Sequence, residues 1–136
     1  VDPGIITAYS IKPEFEYAAR LENAVFCALR RTYKQIFYYH TQKKQEVDFI
    51  VLSETGQLAL YQVCLDLSEE ETRKREVEAL LVACQELEQK TGFLITDDHE
   101  ETIHLNGSTI HCIPFWQWAY KNLSENVKSD HVEDPD

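Results

Sequence analysis

The sequence predicts a single α/β domain, a central mixed β-sheet flanked by α-helices, and three observations carry that expectation. Helical and strand periodicities follow one another in the order helix, three strands, helix, strand, hairpin, helix. Two consecutive segments, VDFIVL and LALYQVCL, are apolar at successive as well as alternate positions, the pattern of strands covered on both faces in the middle of a sheet. The chain has 136 residues, enough for one well-buried core and too few for two ordinary domains.

Residues 1–13, VDPGIITAYSIKP, are turn-rich and then briefly apolar, and we expect an arm or edge strand entering a domain over 14–122. From Glu14 to about Tyr33 the residues Phe15, Ala18, Leu21, Val25 and Leu29 recur at helical spacing, and Arg30, Arg31 and Lys34 close the segment where cations suit the helix dipole. QIFYYH is β-branched and aromatic, a strand, with TQKKQ as the turn into VDFIVL. After LALYQVCL, Ser68 with Glu71 three residues on reads as a capping box, and Val77, Leu80, Leu81, Cys84 and Leu87 form the buried stripe of a second helix ending near Lys90, with Gly92 just beyond. GFLIT is a strand. ETIHL and STIHC flank Asn106-Gly107, a pair suited to the positive dihedrals of a type I′ hairpin turn. Pro114 is expected to open a terminal helix whose Trp116, Trp118 and Tyr120 partly cover the sheet or a neighbouring domain.

Composition narrows the function classes. Thirteen basic against 24 acidic residues give a net charge of −11, which works against general attraction to phosphate backbones. Residues 123–136 hold five acids and one Lys against three apolar residues, the composition of a disordered tail. No window approaches the roughly 20 apolar residues that span a bilayer, and no export signal precedes the domain, so a cytoplasmic protein without membrane association is expected. The chain begins with Val1 and contains no Met, which suggests a piece of a longer protein. Cys27, Cys64, Cys84 and Cys112 lie in apolar segments without CxxC spacing, so buried, reduced thiols are expected rather than disulfides or zinc ligands.

Within QEVDFIVLSETGQLALYQVCLD one acid, Asp48, interrupts a buried strand. A three-residue turn Glu54-Thr55-Gly56 puts Gly56 where a left-handed conformation is needed and sets Leu52 against Leu58, Ile50 against Leu60 and Asp48 against Gln62, with Cys64 on the same side. Glu22 is a second acid among apolar neighbours, flanked by Ala18, Ala19, Val25 and Phe26. A buried carboxylate costs several kcal/mol unless paired, hydrogen-bonded or bound to a cation. If the first helix packs over the sheet face carrying Asp48 and Gln62, then Glu22, Asp48 and Gln62 could together hold Mg2+, which prefers oxygen ligands.

The series LENAVFCALRR, YYHTQKKQEVDFIV, LYQVCLDLSEEETRKREVEALL, GFLIT and IPFWQWAY resembles the C-terminal domain of a group of bacterial and archaeal AAA+-type P-loop ATPases, over nearly the whole chain from about Asp2 to Tyr120. The resemblance implies a restriction-endonuclease-like core of the PD-(D/E)XK type. In an active member of that type Glu22 would match the helix acid, Asp48 the strand aspartate, Gln62 the second acid and Cys64 the lysine. Cys64 departs from that pattern. A neutral thiol neither orients an attacking water nor stabilises charge developing on phosphate. The resemblance therefore implies a degenerate, non-catalytic module that recognises a protein partner or the N-terminal ATPase portion of its own protein, with no cofactor in this part. The alternative is an active Mg2+-dependent DNA nuclease using Glu22, Asp48 and Gln62. The four glycines cannot form a Walker phosphate loop, so ATP binding would belong to the ATPase portion.

Blander roles stand beside these. Asp48 could be a structural acid bonded to Gln62 and nearby backbone, and Glu22 could pair with Lys43, Lys44, Arg73 or Arg75. His104 and His111, diagonal on one hairpin face, fit solvent-exposed polar residues better than zinc ligands completed by Asp97, Asp98, His99 or Glu100. TRKRE fits a solvated helix face better than a phosphate-contacting patch. Cys64 has no neighbour that the sequence places to lower its pKa, so it is not expected to be a nucleophile.

Overall fold

The computed structural model describes residues 13–122; most of the expected arm, and the expected tail, lie outside the described residues. Helix α1 (Pro13–Thr32) begins on a proline, whose fixed φ and missing N–H suit a first helical turn. It is followed by β1 (Gln35–His40), β2 (Glu46–Leu52), β3 (Leu58–Val63), α2 (Glu70–Glu86), β4 (Thr91–Thr96), β5 (Glu101–Leu105) and β6 (Ser108–Pro114). Residues 115–122 form a further helix, α3. The strands make one six-stranded mixed sheet in the order β1-β2-β3-β4-β6-β5, so the domain is α/β as expected. Among the described residues no helix is long and apolar enough to cross a membrane.

β1–β2, β2–β3 and β5–β6 pair antiparallel, while β3–β4 and β4–β6 pair parallel. The parallel pairs follow from the connections. A 17-residue helix returns the chain between β3 and β4, and the β5–β6 hairpin folds back so that its second strand lies beside β4.

The sheet separates two cores. On one face Ile50, Leu60, Leu94 and Ile110 pack against Val77, Leu80, Leu81 and Cys84 of α2. On the other Val51, Tyr61 and Ile95 pack against Val25 and Leu29 of α1 and Trp118 of α3. Leu21 completes the buried stripe of α1. α1 therefore does not cover the face that carries Gln62, contrary to the expectation from sequence; α2 does.

The hairpin turns fall where glycine and asparagine place them, with φ of +85° at Gly56, +53° at Asn106 and +79° at Gly107. Three helix ends differ from expectation. α2 starts at Glu70 behind Glu69 with no side-chain cap, and Ser68 instead donates its backbone N–H to Asp66 Oδ1 at 2.8 Å. The last turn of α2 closes on Glu88 at φ +56°, with the N–H groups of Leu87 and Gln89 donating to the carbonyls of Ala83 and Cys84. Gly92 is not that terminus but a strand residue of close approach, where a Cβ would lie 3.1 Å from Ile110 Cδ1 and 3.4 Å from Cys84 Sγ. Pro114 ends β6 rather than opening α3. In α3 only Trp118 is buried, while Trp116 and Tyr120 are 67% and 71% exposed. All four cysteines are free; Cys84 and Cys112 are buried, Cys64 is half-buried, and Cys27 is exposed, so burial does not hold for all four.

Candidate functional site

The β2–β3 register is the one the turn predicts, with Leu52 opposite Leu58, Ile50 opposite Leu60 and Phe49 opposite Tyr61. One step further, at Asp48 and Gln62, side chains replace the ladder. Gln62 Oε1 accepts the Asp48 backbone N–H at 2.9 Å. Asp48 Oδ2 accepts the Val63 backbone N–H at 2.8 Å. Across β1 the pairing passes from Phe37–Ile50 to Tyr39–Val47, so Tyr38 faces two residues, Asp48 and Phe49. That extra residue is a β-bulge, and it places Asp48 where the strand leaves regular pairing on both sides.

Gln62 is 4% exposed and its amide is fully engaged. Beyond its bond to Asp48, Nε2 donates to the Glu46 carbonyl at 3.0 Å and to Glu76 Oε2 at 2.7 Å. The Asp48 carboxylate thus bonds to the Val63 backbone, while the Asp48 backbone N–H meets the Gln62 amide oxygen.

A cleft of about 350 Å³ opens at this point, and its lining includes Glu22, Lys44, Glu46, Asp48, Gln62 and Glu76. Glu22, Asp48 and Gln62 thus meet at one cleft, but from two helical layers. α2 supplies Glu76 and Arg75 from the face that Gln62 occupies, whereas Glu22 reaches the cleft from α1, is exposed, and makes no ion pair among the described residues. Of the cations suggested for it, Arg73 pairs with Glu101 and Arg75 with Glu76, while Lys44 lines the same cleft as Glu22. Burial pushes the Asp48 carboxyl up to about 6; the Val63 N–H opposes the rise, and the negative charge of Glu22, Glu76 and Glu46 adds to it.

A magnesium ion at this cleft would draw its oxygen ligands from Glu22, Asp48 and Gln62. Among the described residues no three His, Cys, Asp or Glu side chains are placed to hold a metal ion. The Gln62 carbonyl oxygen, the ligand a metal would use, already binds the Asp48 N–H. Cys64 does not line the cleft. Its Sγ donates to the Asp66 carbonyl at 3.4 Å, and burial pushes its thiol up to about 11, which removes it as a nucleophile near neutral pH.

The hairpin histidines do not converge on a metal either. His104 Nδ1 lies 3.1 Å from Thr109 Oγ1, His111 stacks on Phe93 at 5.6 Å, and His99 meets Glu101 at 2.9 Å.

The sequence did not single out Glu46, Glu76 or Ala79 as cleft residues. A signal for Glu76 was present: with Ala79 and Ala83, both buried, it continues one stripe of α2 at i, i+3, i+7 and so sits at the rim of the packed face.

A family model described as a domain of unknown function (DUF4143) matches residues 17–118. Domains of that kind are typically found as C-terminal domains of AAA-type ATPases. No curated protein and no solved structure matches the chain.

Proposed function

We propose that the chain, which belongs to the DUF4143 family, is a restriction-endonuclease-like module of the PD-(D/E)XK type without a working catalytic centre. In this reading it is the accessory C-terminal domain of an AAA+-type P-loop ATPase and recognises a protein partner or the ATPase portion of its own protein. The usual place of the family in AAA-type ATPases supports the second half.

The observation that carries the first half is the state of Gln62. At the position where a nuclease would present a charged metal ligand, this chain has a neutral amide whose oxygen and both N–H groups are engaged in joining β2, β3 and α2. With Cys64 turned to the Asp66 carbonyl, no cation at the lysine position faces the cleft. Asp48 then acts on the fold, by accepting the Val63 N–H where the β2–β3 ladder has ended.

The alternative, a Mg2+-dependent DNA nuclease using Glu22, Asp48 and Gln62, has one observation in its favour, that the three share a cleft. A cleavage assay separates the two. Supercoiled and single-stranded DNA incubated with the chain and Mg2+ or Mn2+ should stay intact. Metal-dependent cutting that disappears in Asp48→Ala would establish the nuclease and overturn the degenerate module. The accessory role predicts that the separately produced ATPase portion of the same protein co-migrates with this domain in gel filtration.

A further inference from the structure

The cations of this acidic chain are unevenly answered. On the α2 side they stand among carboxylates: Arg73 pairs with Glu101, Arg75 pairs with Glu76, and Lys43 and Lys74 line a groove with Glu70 and Glu78. At the end of α1 the balance reverses. Arg30, Arg31 and Lys34 are exposed there, and among the described residues none of them makes an ion pair. A groove between α1 and α3 is lined by both Arg31 and Asn122, so the last turn of α3, with its exposed Lys121, lies beside the last turn of α1. Part of this charge answers the helix itself, since Arg30 donates to the Lys34 carbonyl at 2.7 Å. Glu54, which lines a groove with Lys34, offsets one of the remaining charges. Arg31, Lys34 and Lys121 together still leave a net positive surface on a chain whose net charge is −11.

We infer that residues 124–136 of this chain, SENVKSDHVEDPD, dock on that surface. Two observations choose this occupant. The first is attachment. The segment follows α3 directly, and Asn122, where α3 ends, already lines the groove that holds Arg31. From Asn122 an extended chain reaches about 27 Å by Asp130, at about 3.4 Å per residue, enough to fold back to Arg31 and Lys34. The second is charge. The segment carries Glu125, Asp130, Glu133, Asp134 and Asp136 against Lys128. Single exposed ion pairs are weak, but a tether makes this contact intramolecular, at an effective concentration on the order of mM, so that several weak pairs act together. A free polyanion has no such tether and is repelled by the rest of an acidic chain. Docked there, the segment covers the basic surface and withholds it from other anions. This inference is independent of whether the cleft binds metal and of the nuclease-like reading.

Zero-length carbodiimide coupling of the full 136-residue chain, read by peptide mass spectrometry, tests it. The reagent activates a carboxyl group, and a lysine amine in contact with it forms the amide while the reagent leaves as its urea. At about 0.01 M salt, where the Debye length is about 30 Å, Lys34 should couple to Asp130, Glu133, Asp134 or Asp136 severalfold more than Lys74 does. The excess should vanish at about 1 M salt, where the Debye length is about 3 Å. It should also fall severalfold in Arg31→Glu, with circular dichroism reporting an intact fold. Should that variant not fold, the salt response of the unaltered chain decides. In a mixture of 15N-labelled and unlabelled chains, the coupled peptides should come from one chain. Equal coupling of Lys34 and Lys74 to these acids overturns the inference. So does a Lys34 yield that salt leaves unchanged, or coupling that joins labelled to unlabelled chains.

Discussion

The two ends of the β2–β3 hairpin are built by different means. At the turn, backbone does the work: the Ser53 N–H donates to the Gln57 carbonyl at 2.9 Å, the Gly56 N–H to the Ser53 carbonyl at 3.0 Å, and the ladder is regular through Phe49–Tyr61. At the open end the Asp48 N–H donates to the Gln62 side chain and the Val63 N–H to the Asp48 carboxylate, and α2 reaches in through Glu76. A turn-end ladder is local and tolerant of substitution. A side-chain clasp fails when one member is removed, because each buried partner is then left without a bond.

Gln62→Ala should break the contrast most severely. It orphans the Asp48 N–H and the Glu46 carbonyl at a buried position, and a loss of about 3 kcal/mol is expected by urea unfolding. Asp48→Asn should sharpen it in the opposite direction. A carboxyl whose folded pKa is raised to about 6 from its ordinary value of 3.8 weakens the fold once it is ionised in the native state. That penalty is complete above the folded value, shrinks as pH falls, and vanishes below the unfolded value. An amide keeps an oxygen for the Val63 N–H without the charge, so Asp48→Asn should stabilise the protein by about 2 kcal/mol at pH 7 and flatten its stability between roughly pH 4 and 6. If Asp48→Asn instead destabilises at pH 7, an attractive contact of the carboxylate outweighs burial.

Smaller effects are expected at the turn. Gly56→Ala forces a side chain into a left-handed conformation, at φ +85° but with open space around the Cβ, and should cost about 1 kcal/mol in thermal or urea melts. Ser53→Ala removes the Oγ that accepts the Gln57 N–H at 3.0 Å, in parallel with the backbone turn. A change of about 0.5 kcal/mol is expected there, small because water can replace an exposed bond. The ranking of these four variants is the substance of the comparison. A Ser53 effect as large as that at Gln62 would erase it.

The same contrast explains what was legible in the sequence. Gly56 and Asn106-Gly107 fix turns by local dihedral preference, and they gave the register of both hairpins. The stripes on α1 and α2 were readable because burial follows helical period. The bulge at Asp48–Phe49 was not, since nothing in VDFIVL marks which residue lacks a partner, and with it went the assignment of helices to faces. The α2 terminus misled because Gly92 looked like a helix stop. A non-glycine, Glu88, takes the left-handed position, while the close approach of Ile110 and Cys84 reserves residue 92 for glycine. Ser68 had the spacing of a cap but was engaged by Asp66. The cleft itself was half readable. Glu22, Asp48 and Gln62 were found from acids and amides placed in apolar runs, whereas Glu76 is brought there by the docking of α2, a tertiary fact.

The account stands or falls on whether Asp48 and Gln62 clasp two strands or hold a metal, and calorimetric titration of Mg2+ and Mn2+ into the chain, with Asp48→Ala as control, asks this directly. No saturable heat is expected from either protein. One-to-one binding that Asp48→Ala abolishes would contradict it.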